Sequence, residues 1–383
     1  MRIGMASYEF SDHGGVQRYV VEVAKRLSQD HSVVILASHK QGVKLPGVEF
    51  APVPMPKLFG ACLGWKQLLV YNLSLARVKE HLGLDILHGN NTFGIGADVV
   101  TMHSCHRAYL DFWYRTVSRQ LTVPRRAVHW ARRYFSPFHL VYLLLERQAV
   151  NNGSTHHIVC ISARLKDELK QLYGVREERL RVVHHGVDTN RFQPRVKQRD
   201  AIRSSLGVGL SDTLVLFLAN RPQGKGLDVA IEALRRIKDS GVKLLVAGID
   251  YAHRAAYIPP GMTDRILVVG KIKNPEEYYA AADVCLMPTL YDAFGMVALE
   301  AMACGLPVLV SRRAGVSEVI QDGISGILLD EPSDVDEVCE KLGALVGDPV
   351  RRNELGVGAR VTAEHLSWDS VVASLAAVYD QMT

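Results

Sequence analysis

At 383 residues the chain exceeds the size at which a single hydrophobic core stops growing, so two domains are expected and a lone small binding module is excluded. Its 48% hydrophobic and 22% charged residues, with a net charge of +5, are those of an ordinary packed protein and exclude a fibrous or disordered chain. Six scattered cysteines without a Cys-x-x-Cys pair argue against a disulfide framework or structural zinc. No run approaches the roughly 18–20 apolar residues of a membrane span, and the first residues lack a signal-peptide core, so a reducing, cytoplasmic setting is expected.

In chain order, residues 2–7 are short and apolar, 11–15 form a loop, and Val16, Val20, Val23 and Leu27 recur at helical spacing before a second buried strand over 31–37. Gly14 and Gly15 stand between the first strand and that helix, where bare N–H groups can approach an anion, although two glycines alone more often mark a tight turn. Residues 85–88, 98–102 and 157–161 are further strand candidates, and the alternation predicts a parallel sheet covered by helices. From Cys105 to Arg147 eight arginines face two acids and are interleaved with aromatic residues. That mixture suits either the boundary of an anionic membrane or a solvated helical face with aromatic anchors in the core.

The pattern restarts after residue 190, with strands over 213–219, 243–247, 266–269, 284–287 and 307–310 and a helix over 227–237. The boundary is placed at His185-Gly186-Val187-Asp188, and an amphipathic helix over 368–382 lies beyond the second unit. Gly224-Lys225 is not a P-loop, since Ala219 stands at the first Gly position and Gly226 where Ser or Thr belongs. Gly94-Ile95-Gly96 precedes a strand instead of opening a helix, which disfavours a dinucleotide fingerprint.

The segment 288–307 is more specific. It sets Asp292 in a loop after a strand, Phe294-Gly295-Met296 at a helix start, Glu300 inside the helix and Gly305 as its stop. The N–H groups of Gly295, Met296 and Val297 can receive phosphate oxygens, whereas a carboxylate in the same helix repels phosphate unless aimed at hydroxyls, so Glu300 reads as a ribose ligand. The alternative reading makes Asp292 a helix cap and Glu300 a solvated charge. Asp334-Val-Asp336 follows Pro332-Ser333 and reads as a helix cap and not as a manganese site.

The order acid, Phe-Gly, acid, Ala-Met-Ala-x-Gly-x-Pro from Asp292 to Pro307 resembles the signature of retaining family-four glycosyltransferases. Gly14-Gly15-Val-Gln-Arg, Thr101-Met102-His103, Gly186-Val187-Asp188 and Arg221 with Lys225-Gly226 resemble other pieces of that family, so the likeness runs over nearly the whole chain. Gly14-Gly15-Val-Gln-Arg and the stretch Ala97-Asp-Val99 are similar to lipopolysaccharide-core sugar transferases. The resemblance implies an α/β chain of the GT-B fold, two Rossmann-like domains with parallel sheets facing across a cleft. Residues 1–187 would bind the acceptor, 188–365 the nucleotide-sugar, and 366–383 would pack back on the first domain.

It further implies that Glu300 binds ribose hydroxyls, Asp292 and His103 contact the transferred sugar, and Arg221 and Lys225 hold the diphosphate, with Gly15, Phe294, Gly295, Met296 and Val297 lining the donor. Retention of anomeric configuration, a UDP-sugar donor, a glycan or glycolipid acceptor, and no metal or other cofactor are implied likewise. No nucleic-acid partner is expected, and residues 107–147 could seat the protein peripherally on the inner face of the membrane. Three departures stand out: Asp292 is one methylene shorter than the family's usual Glu, His185 replaces a common Asn, and Arg221 lies closer to Lys225 than is usual. The rivals are an epimerase or sugar phosphorylase of the same fold, and a non-catalytic sugar-nucleotide-binding protein. A two-carboxylate glycoside hydrolase would not need the paired cations.

Overall fold

The computed structural model describes residues 1–12, 14–55, 64–118, 122, 125, 127–128, 130–131, 135–220, 222, 224–250, 252 and 257–382, with the backbone alone at 117, 118 and 196. They form two compact units, Met1–His185 with Trp368–Thr383, and Gly186–Ser367.

The first unit is built on strands β1 (Arg2–Ala6), β3 (Ser32–Ala37), β5 (Val48–Pro52), β6 (Ile86–Asn90), β7 (Val99–Met102), β8 (His157–Cys160) and β9 (Leu180–Val182). A two-stranded pair, β2 (Glu9–Phe10) with β4 (His39–Lys40), stands beside them. The seven main strands are parallel, in the order β5-β3-β1-β6-β7-β8-β9. Ile3, Met5, Val33, Val34, Ile35, Val99 and Val100 are fully buried, as expected where helices cover both faces. The helix Gly15–Leu27 turns Tyr19, Val20, Val23, Ala24 and Leu27 inward. Against it packs the helix Trp368–Tyr379, joined by an Arg26 to Asp369 ion pair of 2.6 Å and burying Trp368 and Tyr379.

The second unit carries β10 (Thr213–Leu218), β11 (Val242–Ala247), β12 (Ile266–Gly270), β13 (Val284–Met287), β14 (Val308–Ser311) and β15 (Ile327–Leu329), all parallel in the order β12-β11-β10-β13-β14-β15. Chain order reverses between β10 and β13, which makes their carboxyl ends the topological switch point of the sheet, where open parallel sheets bind ligands. Below, the fully buried Arg203 donates to Asp283 at 3.0 Å and to the carbonyls of Ala281, Gly209 and Asp212, and Asp283 accepts from the Leu214 N–H at 2.7 Å. The two central strands are thereby held in fixed register at the end away from the switch point. The carboxylate of Asp334 caps the helix Val335–Gly347, accepting from the N–H groups of Asp336 and Glu337.

Candidate active site

At the switch point of the second unit stand the loops after β10 and β13. Gly224, Lys225 and Gly226 end the first loop, and Gly224 and Gly226 have φ of +78° and +81°. A Cβ at Gly226 would lie 2.2 Å from the Pro288 carbonyl oxygen, so only glycine lets the two loops touch. They are tied by the Leu290 N–H donating to the Gly224 carbonyl at 2.9 Å. This close approach carries Lys225 to Asp292, Nζ to Oδ2 2.5 Å, with both side chains partly exposed.

Asp292 is held from three sides. Its Oδ1 accepts from the Phe294 N–H at 3.3 Å, its carbonyl from the Gly315 N–H at 3.1 Å, and it bridges in parallel to Ala314. It therefore closes a turn ahead of the helix and does not cap it; the N-cap is Gly295 at φ +106°, which places no side chain over the first turn of Met296–Ala303. Gly295 cannot be replaced freely, because a Cβ there would meet the Met287 methyl at 2.7 Å. Phe294 is buried, while Met296 and Val297 are half-buried at the helix start.

Glu300, one turn further in, is only 4% exposed, which rules out a solvated helical charge. Its Oε2 accepts from the Tyr279 hydroxyl at 2.9 Å. Burial, then the Glu300 charge, push the Tyr279 phenol well above its ordinary range, so it stays a donor. The same two causes raise the thiols of Cys285 and Cys304 to about 12, which makes them packing groups and not nucleophiles. Tyr279 was not expected from sequence; a tyrosine in the short helix Pro275–Ala281 carries no motif of its own. Arg221 lies outside the described residues.

In the first unit Gly14, at φ +98°, is the N-cap of Gly15–Leu27, and a Cβ added to the exposed Gly15 would meet nothing within 4 Å. His103 follows β7 directly and is 7% exposed. Its Nε2 lies 3.0 Å from Asn90 Oδ1, and its backbone N–H donates to Asn91 Oδ1 at 2.7 Å. The His185 ring stacks on it at 5.4 Å and the Tyr19 ring meets it edge-on at 4.7 Å. Burial, followed by the neighbouring His185 and His88, pushes the His103 imidazole well below its ordinary range. A second buried string runs Tyr379 hydroxyl, His88, Thr101, Tyr19 hydroxyl with separations of 2.5, 2.7 and 3.0 Å. His106, three residues on, instead bonds His139 at 2.9 Å, in a different cluster.

Of the expected residues, Lys225, Asp292, Phe294, Gly295, Met296, Val297 and Glu300 lie on the loops after β10 and β13 and on the helix Met296–Ala303 of the second unit, with Lys225 paired to Asp292, and Gly15 and His103 both follow strands of the first. Residues 13–191 match the model of Glycosyltransferase Family 4, and residues 212–348 that of Glycosyl transferases group 1. The D-inositol 3-phosphate glycosyltransferase of Xylanimonas cellulosilytica is 34% identical over 256 residues, 62% of this chain; the match spans 59% of that protein's length. The D-inositol 3-phosphate glycosyltransferase of Streptomyces bingchenggensis is 30% identical over 401 residues, 96% of this chain and 85% of its own. Among solved structures, WaaG, a glycosyltransferase involved in lipopolysaccharide biosynthesis, superimposes with a TM-score of 0.80 at 21% identity, covering 100% of each chain. Anabaena HepE in complex with UDP-glucose does so with a TM-score of 0.74 at 18% identity, again over 100% of each. With this sequence likeness and two parallel sheets of the GT-B kind, the chain belongs to the family-four glycosyltransferases.

Proposed function

We propose that the protein is a retaining, metal-independent glycosyltransferase that moves a sugar from a nucleoside-diphosphate sugar, a UDP-sugar above others, to a glycan or glycolipid acceptor in cell-surface polysaccharide synthesis. The observation that carries this reading is the buried Glu300 carboxylate one turn inside a helix whose start bears no capping side chain, beside the Lys225–Asp292 pair. A carboxylate so placed suits hydroxyls, and the helix start suits phosphate. On donor binding Lys225 turns from Asp292 to the diphosphate, which frees Asp292 to accept from hydroxyls of the transferred sugar. Lys225, Arg221 and the helix start then stabilise the charge that builds on the departing nucleoside diphosphate, a task otherwise given to a metal ion. The family likeness assigns His103 and Gly15, both of the first unit, to substrate. The likeness to WaaG and to HepE, solved with UDP-glucose, supports the donor and pathway class.

A panel of UDP-, GDP- and ADP-sugars tests this by thermal shift and donor hydrolysis. At about 100 times its dissociation constant the correct donor stabilises the protein by about 2.7 kcal/mol. Absence of stabilisation by any nucleotide sugar would sink the reading, and loss of activity in EDTA would sink its metal independence. Full turnover of the donor without acceptor would favour an epimerase or phosphorylase. Binding without product, whatever the acceptor, would favour a non-catalytic role.

A peripheral seat on an anionic membrane is part of the same reading, supported by the exposed Trp130, Phe135, Leu140 and Leu144 within the arginine-rich segment 107–147. No helix among the described residues is long and apolar enough to cross a membrane. The protein is expected to co-sediment with anionic but not neutral vesicles, and less so after neutralising Arg125, Arg126, Arg132 and Arg133, of which the last three lie outside the described residues. Equal binding by that variant would count against the membrane seat.

A further inference from the structure

We infer that Asn90 is a positioning residue that fixes which nitrogen of His103 carries the proton, and so makes His103 a hydrogen-bond acceptor toward a substrate hydroxyl. Asn90 closes β6 and is fully buried. Its Nδ2 donates at 3.0 Å to the carbonyl of Ala6, the last residue of β1. A carbonyl oxygen can only accept, so the orientation of the amide is determined and Oδ1 is the atom 3.0 Å from His103 Nε2. An amide oxygen also only accepts, so Nε2 must hold the hydrogen. In a neutral ring Nδ1 is then a bare lone pair, and it is buried with no partner among the described residues. The groups around the ring keep it neutral: His185 stacks on it, Tyr19 meets its edge, and His88 stands behind Thr101.

The backbone is gripped as firmly as the ring. Asn91, at φ +52°, is the one non-glycine residue of positive φ among the described residues. Such a conformation persists where its surroundings impose it. Here the Asn91 N–H donates to the Thr101 carbonyl at 2.8 Å while its Oδ1 receives the His103 N–H at 2.7 Å. The adjacent asparagines thus hold His103 by side chain and main chain from a neighbouring strand. Nδ1 is enclosed in this structure, so its lone pair meets a substrate hydroxyl only when bound substrate displaces the packing around it, and it has no proton to deliver to a leaving group. This polarity rests on the proposed transferase reading for its meaning, though not for its geometry.

The full chain labelled with 15N-histidine, with the His103 signals identified by difference against His103→Gln, reports the tautomer directly. A proton on Nε2 and a bare Nδ1 are expected between about pH 5.5 and pH 7.5, a range in which an unperturbed imidazole would titrate. A proton on Nδ1, or an imidazolium near neutral pH, overturns the inference. No substrate enters that measurement, so its failure is distinct from a blank donor panel, which would strike the proposed function alone. In Asn90→Asp the new carboxylate draws a second proton onto the ring. We expect kcat to fall about 100-fold near neutral pH with the donor KM within about threefold, and to recover as pH rises and the ring deprotonates. A loss of the same size at every pH would mean that Asn90 is only structural and overturns the assignment. Should Asn90→Asp fail to fold, the spectrum of the unmodified protein still decides.

Discussion

Replacing Glu300 by glutamine is expected to weaken binding of the nucleoside diphosphate by roughly 100- to 10,000-fold and to lower kcat/KM about as much. A hydrogen bond to a charged group contributes about 1.5–3 kcal/mol, and the two ribose hydroxyls assigned to Glu300 make two such bonds. The amide keeps an oxygen for the Tyr279 hydroxyl, which sits 2.9 Å from Oε2, so the local packing can survive the change. Two measurements separate the possibilities: calorimetric titration with nucleoside diphosphate alone, and the melting temperature of the free protein. Unchanged affinity would remove Glu300 from the ribose site. A large fall in melting temperature with unchanged affinity would make it a core residue of the helix Met296–Ala303 and nothing more.

The first unit should lose stability as pH falls below about 6.5, the ordinary imidazole range. Burial holds His88 down to about 3, and burial with the neighbouring His185 and His88 holds His103 well below its ordinary range. The sign follows from proton counting. Below the unfolded pKa the unfolded chain binds protons that the folded chain refuses, so acidification favours unfolding until the folded pKa is reached. At about pH 5 the depressed His88 has cost about 2 kcal/mol, and His103 adds a cost of the same sign. Glu146 acts oppositely, since burial raises its carboxyl pKa and the folded state takes up that proton first. Denaturant unfolding between about pH 7 and pH 5 measures the net slope, and His88→Gln should flatten it by about 1 kcal/mol per pH unit on average. An unchanged slope in that variant would show that His88 binds its proton equally in the folded and unfolded states.

Strands flanked on both sides were legible because they must be apolar throughout. The runs 213–219, 243–247, 284–287 and 307–310 became β10, β11, β13 and β14, displaced by a residue or so. The unread β5, β9 and β15 are sheet edges, short or mixed in polarity: β5 is Val-Glu-Phe-Ala-Pro and β9 only Leu-Arg-Val. An edge has one neighbour and needs no continuous apolar signal. The segment 288–307 held both carboxylates within one strand-loop-helix passage, so local reasoning reached them. The Lys225–Asp292 pair spans 67 positions and exists because β10 lies beside β13, with β11 and β12 set aside in space though not in sequence. Asn90 and Tyr279 were missed for a related reason: each is a single polar residue whose meaning comes from a partner 13 or 21 positions away.

The discontinuity of the first unit has a consequence for synthesis. Its strands are complete once residue 182 has been made, yet Trp368 and Tyr379, which cover the helix Gly15–Leu27 and bond His88, emerge only after the whole of the second unit. On the ribosome the first unit therefore waits with an uncovered apolar face and without the Tyr379 partner of His88 Nδ1 while about 180 residues are translated, at roughly 5–20 residues per second a delay on the order of 10–40 seconds. The second unit, contiguous from Gly186 to Ser367, can fold in that interval. The order of folding is then the reverse of the order of synthesis, and the interval is when a chaperone would bind.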